Sequence, residues 1–190
     1  MKSLLATICI LAIVGMAVGV TIVMAGDTVN CTVTPGNYAV SVLPTSDPHG
    51  GMTLVSSHTG TKITATNDGS LTAKLTIIGA DATYTEGGKC GDGVCTWTLS
   101  TSAPGTDIYV HAFSTKDPAP TTNGTLGSDP TVEWVALDKG STYKTLVATK
   151  GSGLTQDFYL DMRTPATGST ETDYGSEYST DVTVAAGEPD

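Results

Sequence analysis

From residue 27 onward, apolar and polar positions alternate with a period of two in one short run after another. That is the signature of strands that bury one face. Val29, Cys31 and Val33 alternate with Asn30 and Thr32 until Pro35 and Gly36 break the run. Tyr38, Val40 and Val42 share the next face, which ends at Pro44. Short extended pieces are expected over 52–55 and 62–66. Asn67-Asp68-Gly69 then reads as a turn, because these residue types tolerate positive φ. Leu71, Ala73, Leu75 and Ile77 follow on one face, opposite Thr72, Lys74 and Thr76, as the clearest half-buried strand of the chain. Cys95, Trp97 and Leu99 repeat that pattern. Ile108, Val110 and Ala112 alternate with Tyr109, His111 and Phe113, so both faces of this run are fit to be covered. A loop rich in Pro, Gly and Thr occupies 117–130, followed by extended pieces over 132–137 and 143–148. Phe158, Leu160 and Met162 share a face before Pro165, and a last strand is expected over 178–185 with Val182 and Val184 inward.

About nine short strands with turn signals between them suit a sandwich or a barrel. No helical stripe longer than two turns occurs beyond residue 26. No alternation of strand and helix suggests a parallel sheet, and no internal repeat suggests a solenoid or propeller. Composition agrees: 22 glycines, 34 threonines and 9 prolines favour strands and turns, and only 15% of residues are charged. The expected fold is all-β: a single Greek-key immunoglobulin-like β-sandwich of about nine strands, with Trp97, Trp134 and Phe158 in its core.

Ahead of this domain, residues 4–25 form an uncharged apolar run behind Lys2. A signal peptide over 1–25 fits, with Val23 and Ala25 as the small residues before a cleavage site at Gly26. The run is also long enough to persist as a hydrophobic N-terminal helix. Type IV pilins retain such a helix, but they carry an acid early in it, whereas the first acid here is Asp27. On either reading the domain over 26–190 is exported to the extracellular space or cell surface, and it meets a membrane only through an uncleaved leader. The cysteines suit that compartment. Cys90 and Cys95 bracket a four-residue Gly-rich loop, a favourable spacing for a disulfide, and Cys31 is left as a buried or intermolecular thiol. Asn30 and Asn123 begin glycosylation sequons.

A net charge of −10 excludes nucleic acid as a partner, since such binders need a basic face. Acids at Asp81, Asp92, Asp117 and Asp129 fall in loops and make calcium possible, although no EF-hand or nonapeptide repeat is present. Otherwise no cofactor is expected. His49, His58 and His111 have no ligand spacing to one another, and His111, in mid-strand, is expected to be a satisfied structural imidazole. Asp157 and Asp161 lie on one face of a strand, roughly 13 Å apart, too far for a glycosidase pair and therefore expected on a solvated outer face. No nucleophile elbow, phosphate loop or zinc motif occurs, so no catalytic residues are assigned and an enzyme is not expected.

The turn and strand over residues 66–77, and the run Phe158-Tyr159-Leu160-Asp161-Met162-Arg163-Thr164-Pro165 followed by residues 181–186, resemble secreted Ig-like domains. With the leader, the layout resembles the β-sandwich subunits of extracellular filaments, such as TasA-like biofilm-matrix fibres and archaeal bundling pili. That resemblance implies a non-catalytic structural subunit whose partners are copies of itself, joined head to tail. It also implies that the N-terminal strand, residues 27–34, completes a neighbour's sheet by donor-strand exchange. Val29, Cys31 and Val33 would then be its inward residues and Pro35-Gly36 its hinge. The same strand is equally suited to fold back on its own sheet. The alternative function is a monomeric secreted Ig-like binding module for glycan or another cell-envelope component.

Overall fold

A computed structural model describes residues 35–47, 49, 52, 54–84, 96–167 and 178–190. All regular elements among them are strands: β1 (Val40–Leu43), β2 (Ser57–Thr59), β3 (Ile63–Asn67), β4 (Ala73–Gly79), β5 (Ala82–Tyr84), β6 (Thr96–Leu99), β7 (Ile108–Ser114), β8 (Val135–Ala136), β9 (Lys144–Lys150), β10 (Thr155–Arg163), β11 (Tyr178–Ser179) and β12 (Val182–Gly187). The all-β class holds. The strands form two sheets, one of nine strands along the path β1-β3-β10-β7-β6-β5-β11, with β2 on β10 and β8 on β7, and one of three in the order β12-β4-β9. Pairing is antiparallel except between β6 and β7, which run parallel with Thr98 opposite Ile108.

β10 is the spine of the large sheet. Along one edge its first half pairs with β3 and its second half with β2, and its other edge carries β7. Its even-numbered residues Phe158 and Leu160 face the core, where they join Phe113 of β7, Ile63 of β3, Leu75 and Ile77 of β4 and Leu146 of β9. The two sheets therefore share one apolar core, and each large aliphatic or aromatic side chain fully buried there contributes about 1.5–3 kcal/mol. Trp97 and Trp134 are both buried, as their alternating contexts suggest. Trp97 stacks on Tyr178 with ring centroids 3.9 Å apart. Tyr109 is buried in the same core, and its hydroxyl donates to the Ala80 carbonyl just beyond β4 and meets the Thr180 hydroxyl at 2.9 Å.

Local pattern and structure differ where chain direction is set by side chains rather than by alternation. Residues 67–69 are not a hairpin: β3 and β4 belong to different sheets, so Asn67 ends one sheet and the chain crosses to the other. The piece expected over 132–137 shortens to β8, because residues 130–132 form a turn. The last expected strand divides into β11 and β12, which enter different sheets, and Val182 and Val184 pack against the core as expected. Over 52–55 the described residues Leu54 and Val55 form a turn, and the strand follows at β2.

Val55 takes φ 59°, an uncommon conformation for a β-branched residue. It is 78% exposed, and its amide donates to the Pro165 carbonyl at 3.0 Å. Little packing is lost if the side chain changes. Val55→Asn is therefore expected to raise stability by about 1 kcal/mol, read from urea unfolding midpoints.

Residues 115–134 are not a free loop. They lie across the outer face of β7 and β10: the Thr115 amide and Ser114 hydroxyl both donate to the Pro130 carbonyl, and the Trp134 indole donates to the Thr121 carbonyl at 2.9 Å. That cover is why β7 is buried on both sides, as its pattern anticipates.

Candidate functional site

Three places in the fold combine chemistry with access or with buried polarity. The first is an open sheet edge. β9 ends the small sheet and, among the described residues, pairs only with β4. A groove of about 590 Å³ runs beside it, lined by residues 144–148 and, across from them, by Phe113, Thr115, Pro130, Val135 and Gln156. Unpaired strand edges offer a row of amides and carbonyls to any incoming strand. Lys144 and Lys150 stand at the two ends of β9, and Lys144 pairs with Asp138 at 2.7 Å. Lysine at strand edges discourages indiscriminate pairing, leaving room for a partner with matching charge.

The second place is a buried ion pair on the outer face of β10. Asp161 was expected on a solvated face. It is instead fully buried, because residues 115–134 cover that face. Its Oδ2 accepts from Arg163 Nε at 3.0 Å and its Oδ1 from the Thr59 hydroxyl at 3.1 Å. Arg163 Nη2 also donates to the Gly124 carbonyl at 2.6 Å. Burial pushes the Asp161 carboxyl up from its ordinary pKa, opposed by the guanidinium, the Thr59 hydroxyl and the Asn123 amide. Asp157, on the same face, does reach solvent, where it accepts from the Thr64 hydroxyl at 2.7 Å and pairs with Lys62 at 3.2 Å. The Thr64 hydrogen bond leads the effects that hold its carboxyl below the ordinary carboxylate value.

The third place gathers histidines. His58 lies in β2 and His111 in β7, and the strand between them is β10. Met162 is the register partner of both, so all three occupy one row on one sheet face. His49 completes the group, with its ring centroid 5.6 Å from that of His58 and 5.5 Å from that of His111. His111 was expected to be a satisfied imidazole. It is 2% exposed, and neither Nδ1 nor Nε2 has a hydrogen-bond partner among the described residues. Burial, reinforced by the nearby His49 charge, pushes its pKa down to about 3, so the ring is neutral at neutral pH. Burial also lowers the pKa of His49, against the pull of Asp47. Spacing of 9 and 53 residues between these histidines hides the group from any linear motif; only the order β2-β10-β7 assembles it.

The other residues singled out by sequence scatter. Val29, Asn30, Cys31, Val33, Cys90, Asp92 and Cys95 lie outside the described residues. Gly36 stands at the start of a compact unit over Gly36–Asp190, with the Leu71 side chain against its Cα. Asn123 is exposed in the covering segment, at φ 58°. Asp81 pairs with Lys139 at 2.8 Å, Asp117 accepts from the Tyr159 hydroxyl at 3.0 Å, and Asp129 accepts from the Thr131 amide and hydroxyl, so each acid has a local partner of its own. Comparison with protein-family models and with curated proteins returns no match.

Proposed function

We propose that this chain is an immunoglobulin-like structural subunit of an extracellular filament, assembled head to tail by exchange of its N-terminal strand. Residues 27–34 of one copy pair with the open edge of β9 in the next. The observation that carries this reading is the conjunction of an edge strand that pairs, among the described residues, only with β4 and a groove beside it lined by Phe113, Val135 and Leu146. β9 has seven residues, about 23 Å of extended chain, and the eight residues 27–34 match that length. Alternation directs Val29, Cys31 and Val33 into the groove and leaves the polar residues outside. Main-chain bonds supply the affinity, and the alternate side chains supply the register. Asp27 provides a negative charge for an edge whose ends carry Lys144 and Lys150. Nothing in this reading calls for catalysis, and its setting is the cell surface or matrix.

Electron microscopy of the exported chain tests it. Filaments are expected from the full domain and none from a variant lacking residues 27–34. A synthetic peptide of residues 27–34, added in excess, is expected to block polymerisation by occupying the edge. Monomers from the full domain, or filaments indifferent to both the deletion and the peptide, would overturn strand exchange. A stable monomer that binds polysaccharide would instead favour a secreted binding module.

A further inference from the structure

We propose that His49, His58 and His111 form a binding site for a divalent first-row transition-metal ion of the Cu²⁺ or Zn²⁺ type. All 3 histidines of the chain meet here, two of them from strands of the large sheet and His49 from outside the strands. Imidazole is the ligand these ions share. His49 Nδ1 and His58 Nδ1 stand 3.4 Å apart. That is long for a hydrogen bond between rings, yet two nitrogens each about 2.0–2.1 Å from a tetrahedral ion are separated by roughly 3.3 Å. His111 brings an imidazole with both nitrogens buried and unpartnered, a state that costs free energy until something accepts a lone pair. A further buried atom unpartnered among the described residues, Asp47 Oδ2, belongs to the residue two before His49, while Asp47 Oδ1 is held by the Thr61 amide and hydroxyl. Met162, between His58 and His111 in the row, adds a soft thioether that suits copper.

Exposure falls along the group. His58 is exposed, His49 half-buried and His111 buried, so an ion has a path inward from solvent. The rings stand edge to face, and as they stand no set of three His, Cys, Asp or Glu groups among the described residues could hold an ion. Loading therefore turns the His49 and His58 rings about their terminal torsions, which are broad and low in cost, while His111 stays fixed by the core. Calcium, which seeks oxygen ligands, has no claim on this site.

The test uses the full chain without an affinity tag, stripped with a chelator and titrated separately with CuSO4, ZnCl2 and CaCl2 in a calorimeter. One Cu²⁺ or one Zn²⁺ per chain is expected, Cu²⁺ the tighter, with a rise in Tm on loading and no Ca²⁺ competition. The Cu²⁺ adduct is expected to show nitrogen hyperfine structure in its paramagnetic resonance spectrum. His58→Gln changes an exposed side chain and is expected to keep the stripped protein's Tm while weakening binding at least tenfold. His49→Gln is expected to do the same, and His111→Gln to reduce the nitrogen hyperfine pattern. No binding tighter than that of the triple glutamine variant would overturn the site, as would full affinity in either His58→Gln or His49→Gln.

Discussion

Asp161→Ala is expected to lower the unfolding free energy by about 3–5 kcal/mol, among the largest losses any single replacement in this fold should cause. The carboxylate is fully buried and its partner Arg163 nearly so, with side-chain exposures of 0% and 10%. Removing the acid leaves a guanidinium under the covering segment, still bonded to the Gly124 carbonyl but stripped of its counter-charge. It also frees the Thr59 hydroxyl, although that group retains the Thr122 hydroxyl at 2.8 Å. The loss is therefore mostly the cost of an uncompensated buried charge, not the value of the pair itself. A comparison separates the two. Asp161→Leu combined with Arg163→Met replaces the pair by apolar groups of similar bulk and is expected to recover most of the loss, since buried ion pairs roughly break even against good apolar packing. Urea unfolding of the two single variants and the double variant measures the coupling. A double variant as unstable as Asp161→Ala would mean that the segment over 115–134 depends on the guanidinium bond to Gly124 to stay docked.

The same residue shows what local pattern reveals and what it hides. Strands β4, β7 and β10 are legible because each buries alternate side chains, and Leu75, Ile77, Tyr109, Phe113, Phe158 and Leu160 are core in fact as in pattern. Alternation says nothing about what covers the opposite face. Asp161 and Arg163 sit at positions that are usually solvated, and only a distant segment, folded over them, makes that face a second interior. Strands of two or three residues, such as β5, β8 and β11, hold too few positions to express a period. The histidine group depends on strand order across β10, a property of long-range pairing that no window of sequence contains. The position of β9 at an edge among the described strands is hidden for the same reason: an edge strand and a central strand read alike until the sheet order is known.

Asn67 carries the second large effect, because a residue type that signals a turn here acts through its amide. It is fully buried at the end of β3, where the chain leaves the large sheet for the small one. Its Nδ2 donates to the Leu71 carbonyl and to the Lys150 carbonyl, each at 2.8 Å, and its Oδ1 accepts from the Gly69 amide at 3.0 Å. One side chain thus closes the crossing segment on itself and fastens it to the end of β9. Alanine at this site leaves three backbone groups without that partner. At about 1 kcal/mol for each, the expected loss is about 3 kcal/mol by urea unfolding. Asn67→Asp is the sharper probe. It preserves size and the acceptor for Gly69, but presents a carboxylate oxygen to two carbonyls where a donor stood, so at neutral pH it should be worse than alanine. Protonating that carboxyl restores a donor. The aspartate variant is therefore expected to regain stability relative to the parent as pH falls through its raised pKa, since the folded state then binds a proton that the unfolded chain at the same pH does not. A pH-independent gap between the aspartate variant and the parent would show that the amide's shape, and not its two donor hydrogens, holds the crossing together.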